Sequence, residues 1–128
     1  MILALGSVLE RRKIMENNDS ILNSVKKMLG LGSEYNPFDT EIIIHINSVF
    51  ASLSQMGVGP TEGFMIEDSS TIWSEFIGDD KLINNVKSYM YLKVKLLFDP
   101  PTNSALIESI NNQIRELEYR LYIQKGGY

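Results

Sequence analysis

Apolar residues recur along this chain at intervals of three and four, in stretches bounded by helix-capping and helix-breaking residues. The first stretch starts with Asp19 or Ser20 as N-cap and runs to about Leu29, placing Ile21, Leu22, Val25, Met28 and Leu29 on one face before Gly30 and Gly32 stop it. The second is announced by Asn36-Pro37-Phe38-Asp39, where Asp39 is placed to cap free N–H groups and Phe38 to staple onto Ile42 or Ile43. It extends to about Met56. Ile42-Ile43-Ile44 alone resembles a strand, but the cap, the length and the recurrence Ile42, Ile46, Val49, Phe50, Leu53 predict a helix.

Residues 57–68 break the periodicity with Gly57, Gly59, Pro60 and Gly63, and make a loop longer than compact domains usually hold without purpose. Phe64-Met65-Ile66 adds a short extended piece. A short third helix follows the cap region Ser69-Ser70-Thr71, carries Ile72, Trp73, Phe76 and Ile77, and ends at Gly78. The fourth is capped by Asp79 or Asp80 and continues to Phe98, burying Leu82, Val86, Tyr89, Met90, Leu96 and Leu97, until Asp99-Pro100-Pro101 terminates it. The fifth runs from about Asn103 to Ile123, with Leu106, Ile110, Ile114, Leu117 and Leu121 inward and Arg115, Glu116, Glu118 and Arg120 mostly outward. The pattern predicts an all-α fold: a compact bundle of about five helices over residues 19–123, with one long Gly/Pro-containing loop between helices two and three, then a flexible tail over 124–128.

Residues 1–18 differ from the rest: a short apolar run, then Glu10-Arg11-Arg12-Lys13, then an Asn-containing polar stretch. They form an N-terminal extension outside the predicted bundle, disordered or translated from a start upstream of the natural one. Met15 is the alternative start, because Glu-Arg-Arg-Lys is what a purine-rich ribosome-binding site yields when translated. The basic residues follow the apolar run instead of preceding it, opposite to a secretory signal, and no apolar stretch approaches the roughly 20 residues of a membrane span.

Composition narrows the function classes. The chain has 128 residues, 44% hydrophobic and 22% charged, ordinary for one folded domain. It has no cysteine, which removes disulfides, thiolate metal sites and cysteine nucleophiles together. A net charge of -4 argues against a sequence-independent DNA binder, which needs clustered Lys or Arg.

Candidate chemistry is sparse. Gly57-Val58-Gly59-Pro60 lacks the Gly-Lys-Ser/Thr ending that cradles phosphate. His45 is the sole histidine and falls inside the apolar run of helix two, so a packed or interface role outweighs catalysis. The pairs Glu67/Asp68 and Asp79/Asp80 are read as caps before metal ligands, since carboxylates satisfy the N–H groups of helix starts. Trp73, Phe64 and Phe76 read as core or subunit contact before ligand pocket. Tyr89, Tyr91, Tyr119, Tyr122 and Tyr128 gather in the last two helices and tail, where tyrosine suits protein interfaces as well as an amphipathic surface. Lys87, Lys93 and Lys95 read as a solvated face rather than a nucleic-acid stripe. No catalytic, cofactor or metal residue is assigned.

The order of these pieces resembles the head-tail connector (adaptor) proteins of tailed bacteriophages. The resemblance is carried by Phe38-Asp39-Thr40-Glu41-Ile42-Ile43-Ile44-His45-Ile46-Asn47, by Gly57-Val58-Gly59-Pro60 with Gly63-Phe64, by Ile72-Trp73, and by Tyr91-Leu92-Lys93-Val94-Lys95-Leu96-Leu97-Phe98-Asp99-Pro100-Pro101. It spans about Ser20 to Ile123, and its specificity lies in order and spacing, not in any single motif. It implies a non-enzymatic virion protein without cofactors, assembled in the host cytoplasm. Its expected place is the neck, as a homo-oligomeric ring on the twelvefold portal protein. Such a ring meets a tail-completion or stopper protein below and extends the channel through which DNA passes without specific binding. Beside it, the loop residues Gly57, Val58, Gly59, Pro60, Phe64 and Met65 and the tail residues Gln124 and Tyr128 are the expected protein-contact residues, because these segments are the longest without a packing period. The rivals are a phage-encoded helical protein that regulates a host protein, an enzyme with an acidic metal site built from Glu67, Asp68 and Asp79, and a helix-turn-helix DNA binder, for which no recognition helix rich in Arg, Lys, Asn and Gln is present.

Overall fold

Ser20 sets the start of the first helix, α1 (Ile21–Met28), by accepting a hydrogen bond from the Asn23 N–H at 3.2 Å, as an N-cap serine does. The computed structural model describes residues 19–78 and 80–126, and within them the chain continues as α2 (Asp39–Gln55), α3 (Trp73–Phe76), α4 (Asp80–Phe98) and α5 (Ser104–Gln124). No strand forms among the described residues. The architecture is therefore all-α, with the long irregular segment between α2 and α3 as the pattern predicts. The expected N-terminal extension, Asp79 and Tyr128 lie outside the described residues.

α4 is the central element. It packs most extensively on α5, then on α2, and α1 covers the seam between α2 and α4. Asn85 meets Gln124 at one end of the α4–α5 pair and Tyr89 meets Glu118 further along, so the two helices run antiparallel. Asn103 caps α5 by accepting from the N–H groups of Ala105 and Leu106 at 2.8 and 3.2 Å, immediately after the Asp99-Pro100-Pro101 break. One apolar core joins all five helices: Ile21, Leu22 and Val25 of α1, Ile42, Ile46, Val49, Phe50 and Leu53 of α2, Trp73 and Phe76 of α3, Leu82, Val86, Tyr89, Met90 and Val94 of α4, and Ile110, Ile114, Leu117 and Leu121 of α5.

Four expectations about single residues are corrected. Asp39 does not cap α2. It is the first helical residue, and its carboxylate instead pairs with Lys26. Phe38, in place of Asp39, stands at the N-cap position of α2, and its ring packs on Tyr35 and Phe98 at centroid distances of 5.9 and 5.4 Å. On α4 the buried row is Leu82, Val86, Tyr89, Met90 and Val94, whereas Leu96 is half-buried and Leu97 is 50% exposed. The reason is that the last turn of α4 reaches the level where α2 begins, and there Phe98 finds Phe38 while Leu97 has passed the cover. Leu106 is likewise 50% exposed, because the first turn of α5 stands level with the end of α4.

Lys26 is the residue that pattern reading misses most completely. It is 0% exposed, its ammonium lies 2.8 Å from Asp39 Oδ1, and it donates to the Ser33 carbonyl at 3.1 Å and to Asn36 Oδ1 at 3.3 Å. A buried cation needs such a full set of acceptors. The consequence is that the α1–α2 connection is folded around one charge.

Candidate functional site

The loop after α2 is built from the core outward. Val58 is buried, and its N–H donates to the Leu53 carbonyl at 2.9 Å, which turns the chain back over the end of α2. Gly59 has φ +92, and a Cβ there would sit 2.3 Å from Phe76 Cε1, so the backbone lies directly on the ring. Phe64 packs edge-on against Phe50 and Phe76 at 5.0 and 5.2 Å, and Phe50 and Phe76 are themselves 4.8 Å apart. Ile66 is buried, and both its backbone groups bond to the side chain of Asn47.

The expected contact residues therefore separate. Val58, Gly59 and Phe64 hold the loop to the bundle. Pro60 is half-buried and accepts from the Gly63 N–H at 3.0 Å, while Gly57 is exposed beside the Lys125 side chain. Met65 is 70% exposed and lines a shallow depression of about 510 Å³ with Asn47, Ala51 and Ser54 of α2. Gln124 closes α5: its side chain accepts from Asn85 Nδ2 at 2.7 Å and donates to the Lys81 carbonyl at 3.5 Å. Sequence pattern places Gln124 in the tail, whereas its side chain ties α5 to α4.

A larger groove of about 560 Å³ opens between α1 and α4, with Trp73 on its wall. The Trp73 indole N–H donates to Ser24 Oγ at 2.9 Å, and Ser24 Oγ passes a bond to the Ile21 carbonyl at 3.0 Å, which locks α3 against α1. Ser20 Oγ donates to the Ser69 carbonyl at 2.7 Å, and the Ile21 N–H donates to the Thr71 carbonyl at 3.0 Å. Sequence pattern treats Trp73 as core, and it is buried, but it also floors this groove.

Several ionisable groups make contacts that hold the fold together. The Tyr89 phenol is buried and donates to Glu118 Oε2 at 2.9 Å; burial first, then the adjacent carboxylate, push its pKa above the ordinary tyrosine range. Asp68 accepts from the Ser70 hydroxyl at 2.5 Å and the Ser70 N–H at 2.9 Å, and these bonds hold its carboxyl below the usual range. Glu75 accepts from the Ile72 N–H at 2.9 Å, closing the start of α3. His45 Nε2 stands 3.6 Å from Glu41 Oε2, one turn away on the same helix. Three of the four lysines of α4 diverge: Lys87 lies 5.8 Å over the Trp73 ring, Lys93 lies 5.6 Å over the Tyr89 ring, and Lys95 pairs with Asp99 at 2.8 Å. Among the described residues no three His, Asp or Glu side chains converge on a point that would hold a metal ion, and no helix is long and apolar enough to cross a membrane.

What remains on the surface is large apolar side chains. Met28, Tyr35, Ile44, Met65, Leu97, Tyr119 and Ile123 are all exposed. Comparison with known proteins gives this a context. Neither the curated proteins nor the solved structures contain a match. The model of the family described as phage connector protein matches residues 21–128, from the first residue of α1 to beyond the end of α5. The match covers most of the chain, and the chain belongs to the phage connector protein family.

Proposed function

We propose that this connector protein forms a homo-oligomeric ring beneath the portal, joins it to the tail-completion or stopper protein, and lengthens the channel through which DNA travels. Membership of the connector family carries this reading. The ring is a structural part of the virion neck, assembled in the host cytoplasm, and works without catalysis or cofactor. A ring repeats one heterologous contact, so each subunit needs two complementary faces besides those that meet the neighbours above and below. The exposed apolar residues on several sides of the bundle suit that demand. A net charge of -4 suits a channel wall, because like charge keeps DNA from adhering as it passes.

Within this reading Met65 and the neighbouring Pro60 form the loop tip that meets another protein, and the residues after α5 form a second contact. The test is a phage lacking the gene. Filled heads and free tails should accumulate unjoined, and purified protein added to that extract should restore joining. Particles that join and infect without the protein would overturn the proposal. Met65→Asp should fail to restore joining while keeping the helical circular dichroism of the parent.

A further inference from the structure

We infer that Lys125 is a positioning residue for the loop tip: the first residue after α5 holds the base of the loop, so that loop and tail act as one body. The inference rests on the reading above, in which these two segments meet other proteins, and adds a coupling between them.

α5 packs chiefly on α4, and its last residue, Gln124, is bonded to Asn85 and to the Lys81 carbonyl. The side chain of the next residue reaches the end of α2 instead. A Cβ at Gly57 would collide with Lys125 Nζ and would stand 3.2 and 3.6 Å from Lys125 Cε and Cδ, so stem and ammonium lie along the Gly57 backbone. Gly57 follows the C-cap of α2, Met56, and has φ +79; glycine allows the turn and leaves room for the lysine. Its N–H donates to the Ser54 carbonyl at 2.9 Å, and the Val58 N–H donates to the Leu53 carbonyl at 2.9 Å. The ammonium thus stands at the carbonyl end of α2, a helix with no basic residue in its last turn. Lys125 is also the C-cap of α5, whose last turn has none either. One cation serves the negative ends of two helices.

The tip sits at the same end of α2. Met65 shares its depression with Ser54, three residues before Gly57 and so about 4.5 Å along the helix axis from it. Asn47 fixes the far side of the loop through Ile66, and Lys125 fixes the near side through Gly57. A protein that takes hold of the tail therefore acts on the tip as well.

The test compares Lys125→Glu, Lys125→Met and Lys125→Arg in the full chain, checked for parental circular dichroism and followed by amide hydrogen exchange. Lys125→Glu reverses the charge at both helix ends, and exchange at Gly57 and Val58 should quicken by about tenfold while the amides of α1 keep their parental rates. Lys125→Arg should stay within about twofold of the parent, since the charge remains. The lysine is exposed, so added salt should quicken the same two amides in the parent and leave them unchanged in Lys125→Met. In an extract lacking the natural protein, Lys125→Glu should restore joining poorly and Lys125→Arg fully. Parental exchange at Gly57 and Val58 in Lys125→Glu would overturn the inference, as would equal quickening across every helix. Full joining by Lys125→Glu where Met65→Asp fails would also overturn it. The exchange results are read on the isolated chain, so their failure leaves the ring reading standing, whereas particles that join without the protein remove the ring reading and leave the exchange results in place.

Discussion

The Asn47 carboxamide pairs with both backbone groups of Ile66, donating to its carbonyl at 3.0 Å and accepting from its N–H at 2.8 Å. One side chain on α2 thereby does for the loop what a neighbouring strand does for a β-residue. The bonds hold Ile66 in the core and leave the adjacent Met65 outside, so the display of the loop tip depends on a helix residue far from it in sequence.

Asn47→Ala should release that segment. Two part-buried backbone groups lose their partner, and at about 1–3 kcal/mol for each unsatisfied group the expected destabilisation is about 2–6 kcal/mol, the lower figure applying where water enters the opened loop. Urea unfolding gives the stability, and hydrogen exchange should show the Ile66 amide accelerated far more than the amides of α5.

The Lys26–Asp39 pair predicts an order of effects. Asp39→Ala leaves a cation that is 0% exposed with only the Ser33 carbonyl and Asn36 Oδ1, and should cost about 3–5 kcal/mol. Lys26→Met leaves a carboxylate that is 27% exposed and reachable by water, and should cost less, about 2–3 kcal/mol. Unfolding midpoints in the opposite order would contradict the geometry.

Gly59 and Gly63 both have positive φ, +92 and +90, but only Gly59 lies against another group. Gly63→Ala should cost about 1–2 kcal/mol, the strain of the left-handed conformation. Gly59→Ala adds collision with the Phe76 ring and should cost about 2–5 kcal/mol. Thermal melts of the two variants, compared side by side, check the difference.

Tyr89 predicts an alkaline limit. Its folded pKa is raised above the ordinary value of 10.0, so the stability tied to its proton is fully present below pH 10. Above that pH the unfolded chain releases the proton first, and stability falls as pH rises, by up to about 1 kcal/mol per pH unit. Tyr89→Phe should be less stable at pH 8 by about 1 kcal/mol, for the lost bond to Glu118, and should show a shallower decline between pH 10 and 12. Urea midpoints at several pH values measure both.

The helices were legible because amphipathic spacing is a local signal: Ile42, Ile46, Val49, Phe50 and Leu53, or Ile110, Ile114, Leu117 and Leu121, need only their own helix to declare a buried face. Val94 obeys the same rule, four residues after Met90, although the longer side chains of Leu96 and Leu97 give the stronger local signal. Lys26 also carried a signal, since it falls four residues after Leu22 within the apolar arc of α1. Reading lysine as solvated by default concealed it. Asn47 carried none, because its partner is backbone and backbone leaves no trace in composition. The loop was visible as a break in period, but which of its residues face inward depends on Phe50 and Phe76, which arrive from two separate helices.

The attachment of α1 to the turn before α3 has a kinetic consequence. Ser20 and Ser69 are 49 positions apart, as are Ser24 and Trp73, whereas α4 and α5 are joined by a short turn. Closing the longer circuit costs more chain entropy, so the α4–α5 hairpin should assemble early and the α1 clasp late. The same clasp is then the first part to open when the protein is heated or pulled. A subunit seated against a neighbour along this edge would gain its last increment of order from that neighbour.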